Sequence, residues 1–365
     1  MGKSGYLLEA LKSGGALYFS VPREDYIWRK IGVVGLGFMG ATHLEAWSKV
    51  PGFELGAVSS HDDKKLAGGP DRNGRANLTG AASRWTSAAP AKYHTAEELF
   101  ADLNIEAVDL CTPSYLHASQ AIAALEAGKH VLVEKPMALT GEECDRMLEA
   151  AQKSGKVLMV AQVLRFWPDY SVARDLIQSG ALGPVKHAFF YRKCAAPGWS
   201  KWMHEKSRSG GGAFDLLIHD FDYCRYLFGK PAAVRAVGVE EMEKGIDTVE
   251  ARLDYGDGPL VTIAGGWRHP KAYPFSMEFT IVCEEGTLDF NSALRPLTLY
   301  KADGTSEKPA KPDTDGFVAQ LTAYLQACRT GEAPDACRPE ESADSVRMAL
   351  AMGESRDKSG EAVNL

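Results

Sequence analysis

Residues 31–35 read Ile-Gly-Val-Val-Gly, and Gly35, Gly37 and Gly40 together spell G-x-G-x-x-G. A short branched apolar run stopped by glycine predicts a buried parallel strand entering a tight turn. In that setting each glycine has its own task. The first permits the turn, the second lets backbone approach a phosphate pair, and the third lets the next helix pack closely on the strand. The helix N-terminus then attracts the negative charge. Gly35, Gly37, Phe38, Met39 and Gly40 are therefore expected to hold a dinucleotide pyrophosphate; an ordinary glycine turn is the plainer alternative.

Similar runs recur at 53–58, 107–111, 131–133 and 157–161, with helical patterns at 118–127 and 142–153 between them. Strands alternating with helices predict a doubly wound, Rossmann-type sheet. The stretch 68–92 is rich in Gly, Ala, Ser and Asn without periodicity and reads as a surface insertion. After about residue 165 the pattern changes to strands at 186–191, 234–239, 249–255, 260–265 and 277–283, without regular crossover helices. Gly256-Asp257-Gly258 and Glu284-Glu285-Gly286 separate neighbours, so hairpins and a mostly antiparallel open sheet are expected. Helical patterns at 317–330 and 339–354 should pack back on the body. The division expected is an N-terminal extension (1–29), a dinucleotide-binding α/β domain (30–161) and an α+β domain for substrate binding and oligomerisation (162–365).

With 48 acidic against 41 basic residues and a net charge of −7, the chain lacks the basic surface that nucleic acid or an anionic membrane requires. No run approaches the roughly 20 apolar residues of a membrane-spanning helix. Glu9 and Lys12 interrupt the early apolar run that a signal peptide needs. The seven cysteines are an odd number, scattered, with no C-x-x-C pair. They read as reduced thiols of a cytoplasmic protein and offer no convincing metal site. A small molecule is the expected partner.

The end of the second strand carries Ser59 and Ser60, where an NAD-preferring chain usually has an acidic residue for the ribose 2′-hydroxyl. His61, Lys64 and Lys65 follow and suit a 2′-phosphate, although Asp62 and Asp63 oppose it. The reading leans to NADP over NAD. Thr112-Pro113 with His117, and Glu134-Lys135-Pro136, close two later strands at the carboxyl ends, where open parallel sheets bind ligands. In 210–226, a largely apolar stretch opened by three glycines, Asp215, His219 and Asp222 fall at i, i+4 and i+7, on one stripe of a buried helix. Asp220 points elsewhere. Such a stripe must be hydrogen-bonded or must face a cavity, so a catalytic stripe and a satisfied polar network between domains both remain open.

G-x-G-x-x-G, T-P-x-x-x-H, E-K-P, and G-G-G followed by D-x-x-x-H-x-x-D occur in this order from about Lys30 onward. In that combination the chain resembles the Gfo/Idh/MocA family of oxidoreductases. The resemblance implies hydride transfer between nicotinamide and the hydroxyl or keto carbon of a sugar or polyol. Lys135 or His219 would accept the hydroxyl proton, Asp215 would orient His219, and Asp222 would face the substrate. Arg165, in Arg165-Phe166-Trp167-Pro168, matches the family's R-F-x-P segment and is expected to shape the substrate site. It also implies a cis bond before Pro136, and homodimers or homotetramers formed through the second sheet. Trp199, Trp202 and His204 suit a sugar pocket or simple loop packing, and Trp267-Arg268 a cofactor contact or a structural role. A glycosidase using transient oxidation and a non-catalytic cofactor-binding sensor are the rival functions; an intact Lys135, Asp215 and His219 set argues against both.

Overall fold

The computed structural model describes residues 29–68, 90–198 and 200–365. The extension 1–28, the body of the 68–92 stretch and Trp199 lie outside the described residues.

The first half builds β1 (Arg29–Val34), α1 (Phe38–Trp47), β2 (Phe53–Ser59), α2 (Asp63–Leu66), β3 (Ala91–Tyr93), α3 (Ala96–Ala101), β4 (Ala107–Leu110), α4 (His117–Glu126), β5 (His130–Glu134), α5 (Gly141–Ser154) and β6 (Leu158–Ala161). The strands pair in the order β3-β2-β1-β4-β5-β6, all parallel. Strand order reverses between β1 and β4, the switch point at which doubly wound sheets open a crevice. β4 and β5 are buried at every residue, because helices cover both faces. Thr95 with Glu98, and Thr140 with Glu143, form capping boxes that start α3 and α5. β3 begins inside the stretch expected to be an insertion. It is three residues long with its first two exposed, so no apolar alternation marks it.

The chain then forms α6 (Pro168–Gln178), β7 (Val185–Cys194), α7 (Lys206–Ser209), α8 (Gly212–Phe228), β8 (Ala233–Glu241), β9 (Ile246–Asp254), β10 (Leu260–Trp267), β11 (Ser276–Cys283), β12 (Gly286–Asn291), β13 (Arg295–Lys301), β14 (Ser306–Glu307), α9 (Gly316–Thr330), α10 (Pro339–Asp357) and β15 (Val363–Asn364). Nine strands pair in the order β14-β13-β12-β11-β7-β10-β9-β8-β15. The two hairpins expected from the glycine turns are present as β9–β10 and β11–β12. The sheet is antiparallel except at its centre, where β7 and β10 run parallel. The intervening α8, β8 and β9 supply the long crossover that a parallel pair needs.

α8 and α10 pack together against this second sheet, and Leu217, Phe221, Val346 and Met352 share one core with Val249 and Ile263. α9 goes the other way. Phe317, Leu321 and Tyr324 join Trp47, Leu132 and Val58 in the layer beneath the first sheet, and the Tyr324 hydroxyl donates to the Val108 carbonyl at 3.1 Å.

Candidate active site

The turn after β1 meets the steric demands of a phosphate-binding loop. Gly35 has φ of +90°, and a Cβ there would lie 2.6 Å from the Cys111 carbonyl oxygen. A Cβ on Gly40 would lie 1.9 Å from the Gly35 oxygen, so α1 can sit this close to β1 only with glycine at that position. At Gly37 a Cβ would meet nothing within 4 Å. Gly37 is also the N-cap of α1 and gives no side-chain cap. Its open flank and the uncapped N–H groups of the first turn fit a pyrophosphate. Phe38 and Met39 open that turn, with Met39 packed on the core below.

At the end of β2, Ser59 is buried and its carbonyl accepts from the Gly35 N–H at 2.9 Å. Its side chain is thereby withdrawn from the surface where a ribose contact was expected. Ser60 is partly exposed and its Oγ accepts from the Asp62 N–H at 3.1 Å. The Asp62 carboxylate caps α2 through the N–H groups of Lys64 and Lys65, and Asp63 faces His94 at 3.5 Å. His61 is exposed.

Two residues read as cofactor contacts are buried and bonded to neighbouring loops. His117 is 1% exposed, with Nδ1 2.7 Å from the Pro136 carbonyl and Nε2 2.9 Å from the Thr112 carbonyl. Burial holds its pKa below the ordinary value against the pull of those carbonyls. Glu134 is also buried: Oε1 lies 3.0 Å from His43 Nε2, and Oε2 accepts from the Lys135 N–H at 3.0 Å. Thr112 turns its hydroxyl to Gln120 Oε1 at 2.7 Å. Both segments therefore sit at the crevice, but these side chains hold the loops together. Pro113 leads the short 3-10 turn that follows, and the Lys135–Pro136 bond is cis.

Sequence reasoning passed over His43 and Asp109. The available signal was a carboxylate inside the otherwise apolar Ala-Val-Asp-Leu of β4, which burial permits only with partners. His43, Asp109 and Cys111 bring potential ligand atoms within 4.8 Å of one another. Burial drives the Cys111 thiol far up and so keeps it protonated. Protonated groups hydrogen-bonded to Asp109 satisfy one another as donors and acceptor, and two of them would have to lose protons before binding a metal.

Across the crevice, Lys135 and α8 meet. Lys135 Nζ donates to the Asp215 carbonyl at 2.8 Å and to Asp215 Oδ1 at 3.2 Å. One turn further along α8, His219 is partly exposed, while its Nδ1 is buried without a partner. Burial and then the positive charges of Lys135 and Arg192 hold its pKa well below the ordinary value. The three residues are thus gathered, in an arrangement that differs from the one expected. Asp215 is bound to Lys135, and the His219 Nδ1 has no carboxylate behind it.

Asp222 differs more. Its carboxylate takes both Arg165 Nε (2.7 Å) and Nη2 (2.8 Å), and Ser345 Oγ donates to it at 3.0 Å. Both charged side chains are at most 1% exposed. Arg165 also lies over the Tyr226 ring, 4.6 Å from its centre. Arg165 and Asp222, expected to face substrate, are paired with each other here and leave no exposed polar edge. Asp220 forms a second buried pair with Arg192 at 2.7 Å. Trp202 stands edge-on to Tyr115, centroids 6.3 Å apart, with Arg208 over the other ring at 4.2 Å. Trp267 is buried, and a Cβ on Gly212 would lie 2.5 Å from its indole, so it packs the start of α8.

The model for the oxidoreductase family with an NAD-binding Rossmann fold matches residues 29–162, and that for the GFO/IDH/MocA C-terminal domain matches 170–289. A levoglucosan dehydrogenase of Pseudarthrobacter phenanthrenivorans is 35% identical over 222 residues, covering 57% of this chain and 53% of that protein. A 1,5-anhydro-D-fructose reductase of Ensifer adhaerens is 34% identical over 256 residues, covering 65% and 75%. A myo-inositol 2-dehydrogenase of Thermotoga maritima is 26% identical over 344 residues, covering 90% and 96%. The solved levoglucosan dehydrogenase complexed with NADH and levoglucosan superposes with a TM-score of 0.78 at 24% identity, over 92% of this chain and 99% of that one. That last likeness bears on the fold.

Proposed function

Since this chain belongs to the Gfo/Idh/MocA family of oxidoreductases, we propose that it moves hydride between a nicotinamide cofactor and a hydroxyl or keto carbon of a sugar or polyol. The observation that carries the reading is the meeting of Lys135 with Asp215 across the crevice, one helical turn from a partly exposed, low-pKa His219. Gly35, Gly37 and Gly40 with the first turn of α1 would hold the pyrophosphate. When bound, the nicotinamide gives or takes the hydride. His219, neutral at neutral pH, takes the hydroxyl proton in oxidation and returns it in reduction. Lys135, held in place by its contact with Asp215, stabilises negative charge growing on the substrate oxygen. Trp202 offers an apolar wall to a sugar face.

In this reading residues 30–161 carry the cofactor and 162–365 the substrate, with a homodimer or homotetramer formed on the outer face of the second sheet. The exposed Val237, Val239, Leu260 and Tyr300 support that surface. Seven buried free thiols fit a reducing, cytoplasmic setting. The reading is tested by following reduced-cofactor absorbance with levoglucosan, myo-inositol, D-xylose and 1,5-anhydro-D-fructose. Turnover of none of these, nor of other sugars and polyols, with either cofactor would overturn it.

Two variants test the cofactor site. Gly37→Val adds atoms into open space, so the protein should fold with an unchanged melting temperature. Its affinity for cofactor should nevertheless drop by about tenfold or more, because the side chain fills the phosphate approach. An unchanged titration would remove Gly37 from the site. The cofactor is proposed to be NADP, since the end of β2 offers Ser60 and the nearest carboxylate, Asp62, is engaged in capping α2. Ser60→Asp should lower the ratio of NADP to NAD affinity by repelling a 2′-phosphate. A ratio that does not fall would place Ser60 elsewhere.

A further inference from the structure

We propose that His43 is a positioning residue that ties the phosphate-binding helix to the loop carrying Lys135. The proposal rests on the role assigned to Lys135 above and adds what holds that lysine in register with the cofactor. His43 lies on α1, one turn from the glycine loop, and is completely buried. Its Nδ1 is 2.9 Å and 3.1 Å from the two Asp109 oxygens, and its Nε2 is 3.0 Å from Glu134 Oε1. The other Glu134 oxygen accepts from the backbone N–H of Lys135 itself. A chain of close contacts therefore runs from α1 through the imidazole, whose Nε2 meets Glu134 at ion-pair distance without hydrogen-bond geometry, and on through that carboxylate to the main chain of the proposed proton-handling residue.

The surroundings make this path stiff. Trp47 Nε1, from the next turn of α1, donates to Asp109 Oδ2 at 2.8 Å, Cys111 Sγ lies 3.4 Å from Asp109 Oδ1, and the Phe317 ring of α9 closes the outer side. Asp109 takes the Nδ1 side of the imidazole, and a proton on Nε2 as well would turn a cationic ring toward the Glu134 carboxylate. Burial opposes that charge, but the Asp109 carboxylate and Cys111 outweigh it and raise the His43 pKa well above the ordinary value. Lys135 is held from its other side as well, because His117 reaches the carbonyl of Pro136.

The test uses the full-length protein with NADPH or NADP and the substrate identified by the screen above. His43→Gln is compared with wild type for melting temperature, cofactor affinity, kcat, KM and the primary deuterium isotope effect on the transferred hydrogen, well below both melting temperatures. Misplacement of Lys135 predicts a kcat lowered about tenfold or more, the scale of a small displacement of a catalytic group. Substrate KM should move much less, and the isotope effect should rise as the chemical step becomes limiting. The double variant His43→Gln/Glu134→Gln should lose little more kcat than His43→Gln, since both act through one path. If the melting temperature falls while kcat and isotope effect stay at wild-type values, His43 is structural and the proposal is overturned. Should His43→Gln fail to fold, Glu134→Gln preserves volume while altering the same carboxylate link, and unchanged kcat and isotope effect there would overturn the proposal equally. Lys135→Met separates the two levels: if it retains turnover, the functional reading of Lys135 fails, whereas if it is inactive and His43→Gln is normal, only the positioning role fails.

Discussion

Lys135→Met and His219→Ala should each lower turnover by about 10²-fold or more, the usual scale for losing a positioned acid–base group, while cofactor still saturates both proteins. Cofactor binding should survive because the pyrophosphate is assigned to the glycine turn and the first turn of α1, and to neither of these side chains. The pH dependence separates the two roles. Burial and the nearby Lys135 charge lower the His219 pKa, so wild-type kcat/KM for oxidation should hold on acidification to below about pH 6.5, the unperturbed histidine value. It should then fall as the ring becomes protonated and can no longer accept a proton. His219→Ala should lose that acidic limb, whereas Lys135→Met should keep it and shift it upward, because removal of a neighbouring cation eases protonation. Near-normal turnover in both variants would leave only the cofactor motif to support the reading.

Arg165→Met should be the most destabilising single change among those considered. It strips the guanidinium from a pair in which both side chains are at most 1% exposed, leaving the Asp222 carboxylate with Ser345 Oγ. Removing one partner of a buried ion pair costs about 3–5 kcal/mol, which for a chain of 365 residues lowers the melting temperature by roughly 4–7 °C. Asp222→Leu combined with Arg165→Met should recover much of the loss, since the uncompensated buried charge is then gone. A melting temperature within about 2 °C of wild type for Arg165→Met would mean that water reaches the pair and that the two residues are free to meet a ligand.

What the sequence revealed follows from which constraints are local. Gly35, Gly37 and Gly40 announce the first crossover because their spacing is local: the turn needs a positive φ at Gly35, and Gly40 must pass close to the Gly35 oxygen. The β9–β10 and β11–β12 hairpins are equally local, written in glycine turns. The resemblance pointed to Lys135, Asp215 and His219, and the fold draws them together from the end of β5 and from α8. It left open which side chain answers which. Asp215 turned to Lys135 and not to His219, and Asp222 to Arg165 and not to the crevice, because such choices depend on partners 57 to 80 residues away. The parallel β7–β10 pairing was hidden for the same reason: no turn signal records a crossover made of a helix and two strands. β3 escaped because an exposed three-residue edge strand has no pattern to show.

The return of α9 to the first sheet has a bearing on how the chain matures during synthesis. The strands and α1 are finished when residue 161 leaves the ribosome, but the apolar layer of Trp47, Val58 and Leu132 is closed by Phe317, Leu321 and Tyr324. Until more than 150 further residues have emerged, the nascent nucleotide-binding half keeps an oily flank uncovered. The late-made α9 thus completes the first sheet only near the end of synthesis, well apart from any part it takes in chemistry.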